Sequence, residues 1–486
     1  MELIIRAANF SAKNAVFCRQ RTFTYGDLLA HAELVRNKLL SLSAYMKGKR
    51  VVVLTPHSYE YLPCQWGIWK AGGVVVPINI KQPPLEWKHI IEDCRPTFIL
   101  CHGSLLSRLE TVIEKNGVKI IPVGDFQTLE EKIEIKDVNM DNETDAMILY
   151  TAGITGKPKG AVHTHRSLTF QVKTLSNNWG WNENDNCIEL MPLYHYHGVS
   201  SLLSALWAGA SVTFHYNFDV WNLWQDIKKE TNLTVLSAPT SVYTKLLYNW
   251  NYMYKTDKQE IIDSCRRFRL MITGSCGMPE TMSNYWEEAT KHALINQYGT
   301  AETGMVLSNL ANETQTPGCV GKPLTQIETE IYRNELKVKT PGMFKEYFNN
   351  PESTKQAFDN DGWFKTGDLA EIDPRLGNYR ITGKLNSDAI RFSGYTISAR
   401  EIETELKGFP GIEDVAAVGV PSYEHGEIIG VAIKSQKKIT LKDVQIWCKT
   451  RMASYKLPRV LQQLDQFPLH SSGKINKNEL VNLFRQ

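Results

Sequence analysis

Long apolar runs are missing from this 486-residue chain. No stretch of about 18 uninterrupted apolar residues occurs, which excludes a membrane-spanning helix of the usual kind. Paired cysteines are missing too. The nine cysteines, at 18, 64, 94, 101, 187, 265, 276, 319 and 448, form no C-x-x-C pair and are too sparse for a disulfide framework. A reducing compartment fits that usage. Charge of one sign is also scarce: 55 basic against 52 acidic side chains leave a net +3, with no polybasic tail or stripe. Nucleic acid and anionic membrane are therefore poor candidates as partners. The main cluster, Arg266, Arg267 and Arg269 beside Leu270-Met271-Ile272, reads as a solvated edge. Internal repeats, low-complexity segments and the charged-then-apolar layout of a secretory signal are absent. Residues 3–26 carry Arg6, Lys13, Arg19 and Arg21 with no acid, a weak transit-peptide composition that we read instead as part of a domain. The cytoplasm is the expected compartment, the mitochondrion the alternative.

What is present is enough apolar material, 42% of the residues, for two or three cores. Short β-branched runs alternate with amphipathic segments, as in 51–54, then 59–70, then 74–76. That alternation predicts a parallel sheet with crossover helices. Apolar runs recur at 97–100, 146–150, 233–236 and 270–273, so sheet structure extends well past residue 250. Near residue 383 the character changes. Short strands at 415–420 and 428–433 flank a helix at 441–452 that Thr440 and Asp443 can cap reciprocally. The predicted fold is α/β: a large N-terminal domain (1–383) of mixed and parallel sheets with flanking helices, and a small mobile α+β C-terminal domain (389–486). Residues 384–388 form the expected hinge, because Gly383, Asn386 and Ser387 can absorb backbone rotation.

After the strand at 146–150 comes Thr151-Ala152-Gly153-Ile154-Thr155-Gly156-Lys157-Pro158-Lys159-Gly160. Its glycines, hydroxyls and lysines can wrap phosphate oxygens, although the Walker spacing is absent. Alone, the segment reads equally well as a surface turn. It is followed by Pro192-Leu193-Tyr194-His195-Tyr196-His197-Gly198, Tyr298-Gly299-Thr300-Ala301-Glu302, Gly362-Trp363-Phe364-Lys365-Thr366-Gly367-Asp368, Ser393-Gly394-Tyr395 and Ser472-Gly473-Lys474-Ile475. In order and approximate spacing this set resembles the adenylate-forming enzymes, which include acyl-CoA synthetases, luciferases and peptide-synthetase adenylation domains. The early Phe23-Thr24-Tyr25-Gly26-Asp27-Leu28 extends the likeness over nearly the whole chain. The stretch 66–77 and Gly342-Met343-Phe344-Lys345-Glu346-Tyr347 bring it nearest to the malonyl-CoA synthetase branch.

The resemblance implies ATP, Mg2+ and coenzyme A as cofactor and co-substrates, a small carboxylic acid as the other partner, and acyl adenylate as intermediate. Thr151, Gly153, Thr155, Gly156 and Lys159 are expected around phosphate, with Gly274, Tyr298, Gly299, Thr300, Asp368 and Lys384 around the rest of the nucleotide. Asp368 offers an ionised carboxylate to the two ribose hydroxyls. Glu302 is the expected magnesium ligand. Lys474, arriving from the small domain, would bridge the attacking carboxylate and the α-phosphate. His195, His197 and Gln297 are expected at the acyl group, Gly394 and Tyr395 at coenzyme A. A transition-metal site on His163, His165, His195 and His197 is disfavoured, lacking cysteine or acidic ligands at metal spacing. Trp179, Trp181, Trp207, Trp221 and Trp224 read as core and pocket wall.

Departures cut against this pattern. Ala152, Ile154 and Ala301 replace hydroxyl residues, and Lys384 replaces an arginine, so hydrogen-bond donors near ATP are lost. Gln297 stands where the malonyl branch carries an arginine for the second carboxylate. A catalytically impaired nucleotide- or acyl-binding homologue, or an adenylating enzyme with another acceptor, are the competing readings. Oligomeric state is left open.

Overall fold

The computed structural model describes the chain except residues 1, 19–20, 114–116, 130–140, 152–157, 216–217, 275–277, 311–312, 314, 386–387, 470–474 and 485–486, and describes Lys384 by its backbone. Among the described residues the β-branched runs fall into two large sheets, not one. The first has the strand order Glu346–Tyr347, Lys159–Thr164, Asp145–Thr151, Val74–Pro77, Arg50–Leu54, Phe98–His102, Lys119–Val123. Val51, Val52 and Val53 are buried because helices cover both faces, which is why the sequence shows a continuous apolar run rather than alternation. The second sheet runs Lys322–Pro323, Gly304–Ser308, Ile295–Thr300, Leu270–Gly274, Val235–Pro239, Asn186–Glu189, Ser211–Phe214, Asn14–Cys18, Arg21–Thr24. The runs near 233 and 270 therefore belong with it. A third, antiparallel sheet joins Glu328–Tyr332, Glu335–Lys339, Phe364–Ile372 and Tyr379–Lys384.

Helix Tyr25–Leu42 starts on a capping box between Thr24 and Asp27. It packs on helix Tyr61–Ala71, which stops at Gly72 in the left-handed conformation, φ 93°. The two helices approach closely at Gly67, where a Cβ would lie 2.5 Å from Val35 Cβ. The basic N-terminal segment is packed into this body: Leu3, Ile4 and Ala7 are buried, and Arg6 Nε donates to the Trp207 carbonyl at 2.7 Å.

Two expectations need correction. Arg269 is no solvated edge: it forks onto the buried Asp185 through Nη2–Oδ2 at 2.6 Å and Nε–Oδ1 at 3.2 Å, and ties the chain ends of two strands together. Trp179, Trp181 and Trp224 are core, but Trp221 is 48% exposed. Helix Val220–Lys229 turns Leu223, Trp224 and Ile227 inward, and Trp221 falls outside that stripe.

The small domain has its own core, which includes Ile390, Ile397, Ile402, Val415, Ile429, Val431 and Val444. Strands Asp414–Ser422 and Gly426–Lys434 pair directly as a hairpin, so they do not flank the predicted helix; that helix, Leu441–Lys449, follows them and ends before Met452. Its reciprocal Thr440–Asp443 cap is present. Hairpin Ala389–Phe392 and Tyr395–Ser398 completes the sheet towards the large domain. No described helix is long and apolar enough to cross a membrane.

Candidate active site

Strands Asp145–Thr151 and Lys159–Thr164 pair antiparallel and place Thr151 opposite Lys159 at the mouth of the glycine loop. Gly153, Thr155 and Gly156, with Ala152 and Ile154, lie outside the described residues. Lys159 Nζ sits 5.2 Å from the centre of the Tyr347 ring. Burial lowers its pKa, and Glu302 opposes that shift. The Tyr347 hydroxyl donates to Glu302 Oε1 at 2.7 Å, while Phe344 N–H binds the Glu302 carbonyl at 2.7 Å. Strand pairing between Glu346–Tyr347 and Lys159–Thr164 thus brings cation and carboxylate face to face. Thr300 is committed locally: its hydroxyl accepts from Thr303 N–H at 3.2 Å. At Gly299 a Cβ would meet the Gly304 carbonyl oxygen at 2.0 Å, so only glycine allows this turn.

The nucleotide-side expectations also converge. Tyr298 donates its hydroxyl to Asp368 Oδ2 at 2.7 Å, and Asp368 is 1% exposed. Burial and this carboxylate together push the Tyr298 phenol far above its usual pKa. The other oxygen, Oδ1, meets the guanidinium of Arg391, which arrives from the small domain. Lys384 pairs with Asp368 through the backbone of neighbouring strands. Lys474 lies outside the described residues, as do Asn386 and Ser387 of the expected hinge. Asp388, the last residue of the expected hinge, is held by Arg400 and Lys477 of the small domain.

His197 and Gln297 lie buried together, both about 4% exposed, with the Gln297 amide against His197 Nε2. Burial drops the His197 pKa to about 3, so the ring is neutral. The amide nitrogen then donates to Nε2 and the ring proton sits on Nδ1. That Nδ1 and Gln297 Oε1 have no partner among the described residues, which leaves one donor and one acceptor for a ligand. Gly274 makes the room: a Cβ there would lie 2.7 Å from His197 Cε1 and 3.0 Å from Gln297 Cγ. Among the described residues no Lys or Arg shifts His197; the neighbour that acts on it, His195, is itself kept neutral by burial, pKa about 4. Nearby, Glu189 accepts from Met191 N–H at 2.7 Å, and burial raises its pKa to about 8.

His195 stands at the start of helix Tyr196–Trp207, which carries His197. Tyr395 of the small domain lies over His195, ring centres 5.5 Å apart, and its hydroxyl is 3.2 Å from that of Tyr194. Gly394 turns the hairpin at φ 93°, a conformation that favours glycine. His163, by contrast, donates Nε2–H to the Ala301 carbonyl at 2.6 Å and is kept neutral by burial, pKa about 4.

Sequence reading missed two residues here. Arg391 gave a faint signal, a base between the apolar Ile390 and Phe392 just after the hinge. Tyr347 stood inside a quoted motif without an assigned task.

Comparison with known proteins gives the family. The model of the AMP-binding enzyme family matches residues 4–348, and that of the AMP-binding enzyme C-terminal domain matches 401–474. A mitochondrial malonate–CoA ligase, ACSF3, of Xenopus laevis is 31% identical, covering 98% of this chain and 90% of that protein. A malonyl-CoA ligase in a ternary product complex with methylmalonyl-CoA and AMP is 27% identical, covers 94% of this chain and 97% of its own, and superposes with a TM-score of 0.82. ATP-bound MatB from Rhodopseudomonas palustris, also 27% identical, covers 100% and 99% and superposes with a TM-score of 0.73. The chain belongs to the AMP-binding enzymes, the adenylate-forming superfamily. Within that family it is an acyl-CoA synthetase, an AMP-forming acid–thiol ligase similar to the malonate–CoA ligases.

Proposed function

We propose that this acyl-CoA synthetase activates a short carboxylic acid whose tail carries a neutral hydrogen-bonding group, a carbonyl or a hydroxyl, in preference to malonate. The observation that carries this reading is the Gln297–His197 pair, which presents one donor and one acceptor and no cation. A second carboxylate placed there would be buried without a counter-charge, which costs several kcal/mol on the order of magnitude known for unpaired buried ions. A carbonyl facing His197 Nδ1–H, or a hydroxyl facing Gln297 Oε1, satisfies the orphaned atoms instead.

In the first step the acid's carboxylate oxygen bonds to the α-phosphorus of ATP as the bond to pyrophosphate breaks. Lys159, the loop amides and Lys474 neutralise the charge that builds on phosphate, and Asp368 with Tyr298 fixes the ribose. Magnesium fits Glu302: one carboxylate, oriented by Tyr347 through Oε1, faces the phosphate-loop lysine. Bound there with phosphate oxygens, the ion would act as a Lewis acid. In the second step the coenzyme A sulfur bonds to the acyl carbon, AMP leaves, and the thiol proton is lost. Residues 384–388 serve as hinge between a large domain, 1–383, and a small one, 389–486. Support for an arrangement suited to the second step comes from Tyr395 over His195, and from the better superposition on the CoA product complex than on the ATP complex at equal identity. The buried cysteines, none in a disulfide among the described residues, suit a reducing compartment, cytosol or mitochondrial matrix.

The test is ATP–pyrophosphate exchange with four acids of like size: malonate, a 3-oxo acid, a 3-hydroxy acid and an unbranched alkanoate. The oxo or hydroxy acid is expected to give the highest kcat/KM. Highest activity with malonate overturns the assignment.

A further inference from the structure

Lys456 is a buried lysine far from the phosphate loop, and it holds two carboxylates from different domains. Its Nζ lies 2.7 Å from Glu86 Oε2 and 2.7 Å from Glu401 Oε1, with side-chain exposures of 3% for Lys456, 11% for Glu86 and 19% for Glu401. Glu401 sits on the small-domain helix Ala399–Leu406, so that pair travels with Lys456. Glu86 sits on the large-domain helix Pro84–Cys94. Its Oε1 accepts from Ala453 N–H at 2.8 Å, and its Oε2 also accepts from Gln82 Nε2 at 2.7 Å. Gln82 in turn reaches the Tyr455 hydroxyl at 3.4 Å. Tyr455 stacks on Tyr395 with ring centres 3.9 Å apart and planes at 9°. The cluster is therefore joined to the ring that covers His195.

The two carboxylates are not equivalent. If the small domain turns away, Lys456 keeps Glu401 and no lone charge is left buried, while Glu86 passes into water. A buried pair with a built-in second partner avoids the penalty that ordinarily makes such a contact costly to break. We propose that Glu86 is a positioning residue for the second step: it holds the small domain in the orientation that sets Tyr395 over His195, and it releases without cost to the folding of either domain. This rests on the two-step reading above.

Glu86→Gln keeps the shape and an acceptor for Ala453 but removes the charge. Transfer of the acyl group from pre-formed acyl adenylate to coenzyme A, measured in a single turnover, is expected to slow about tenfold or more. ATP–pyrophosphate exchange is expected to be unchanged or faster. A role in stability alone would lower both rates together, and that result, or unchanged transfer, overturns the proposal. Ala453→Pro provides a variant outside the large domain: residue 453 already has φ −60° and ψ 148°, a backbone that suits proline, and the change deletes the donor to Glu86. It is expected to slow transfer in the same selective way. Solution scattering of the ligand-free protein separates the two claims: Glu86→Gln should shift the profile away from that of the present arrangement whether or not any acid is activated. An unchanged profile sinks the latch; absent exchange with a shifted profile sinks the two-step reading and leaves the latch standing.

Discussion

Gln297 and His197 meet where an arginine would meet a second carboxylate, and the consequence can be read atom by atom. Gln297→Arg adds a fork of donors beside His197 Nε2. The expected outcome is a gain of at least about tenfold in kcat/KM for malonate, with a loss for the oxo or hydroxy acid, measured by pyrophosphate exchange. Equal losses for all acids would show that position 297 packs rather than selects. At this scale much was legible from sequence. Lys159, Glu302, Asp368, His195 and His197 sit in motifs whose residue types match the chemistry, and the structure brings Lys159 to Glu302 and Tyr395 to His195. Arg391 was not legible, because its contact with Asp368 depends on how two domains meet, and no local pattern encodes that. Arg269 was misjudged because its partner Asp185 lies 84 positions away within the large domain.

The elements were readable where period and caps agree. Thr440 with Asp443 marks a helix start, and that capping box is present. Partition of the strands between two sheets was not readable, since parallel strands buried on both faces look alike in sequence. The hairpin Asp414–Ser422 with Gly426–Lys434 was misplaced around a helix, because alternation shows a strand and not its partner. Close packing of helices Tyr25–Leu42 and Tyr61–Ala71 yields a prediction at this scale. At Gly67 an added methyl would meet Val35 Cβ at 2.5 Å and the Ala32 carbonyl oxygen at 2.7 Å, both on a rigid neighbour. Gly67→Ala should therefore destabilise the protein by about 1–3 kcal/mol despite the better helix propensity of alanine. Thermal or urea unfolding checks it, and a stabilised variant would contradict the packing.

Across the whole molecule, stability should depend on pH from both sides. His163, His165 and His197 are buried, and burial lowers their pKa values to about 4, 3 and 3. Each folded state binds its proton less readily than the unfolded chain, so stability is lost as pH falls below about 6.5, by about 2 kcal/mol per histidine at pH 5. Glu189 acts in the opposite sense. Its pKa, raised to about 8 by burial, contributes stability below the ordinary glutamate range that is lost as pH rises through about 8. Melting temperature should therefore be highest near neutrality and fall steeply towards pH 5; a flat acid limb would mean that these rings are solvated. The domain orientation seen here, with Tyr395 over His195 and Glu86 on Lys456, belongs to the same scale and bears on the second step.

The claim on which the rest depends is that the site at Gln297 and His197 feeds a short polar acid to ATP and then to coenzyme A. Pyrophosphate exchange across the four acids, followed by mass analysis of products with and without coenzyme A, tests it most directly. Acid-dependent exchange led by the oxo or hydroxy acid, with AMP and the matching acyl-CoA appearing once coenzyme A is added, is the predicted result. No exchange with any acid in a protein that binds ATP, or exchange led by malonate, would contradict it.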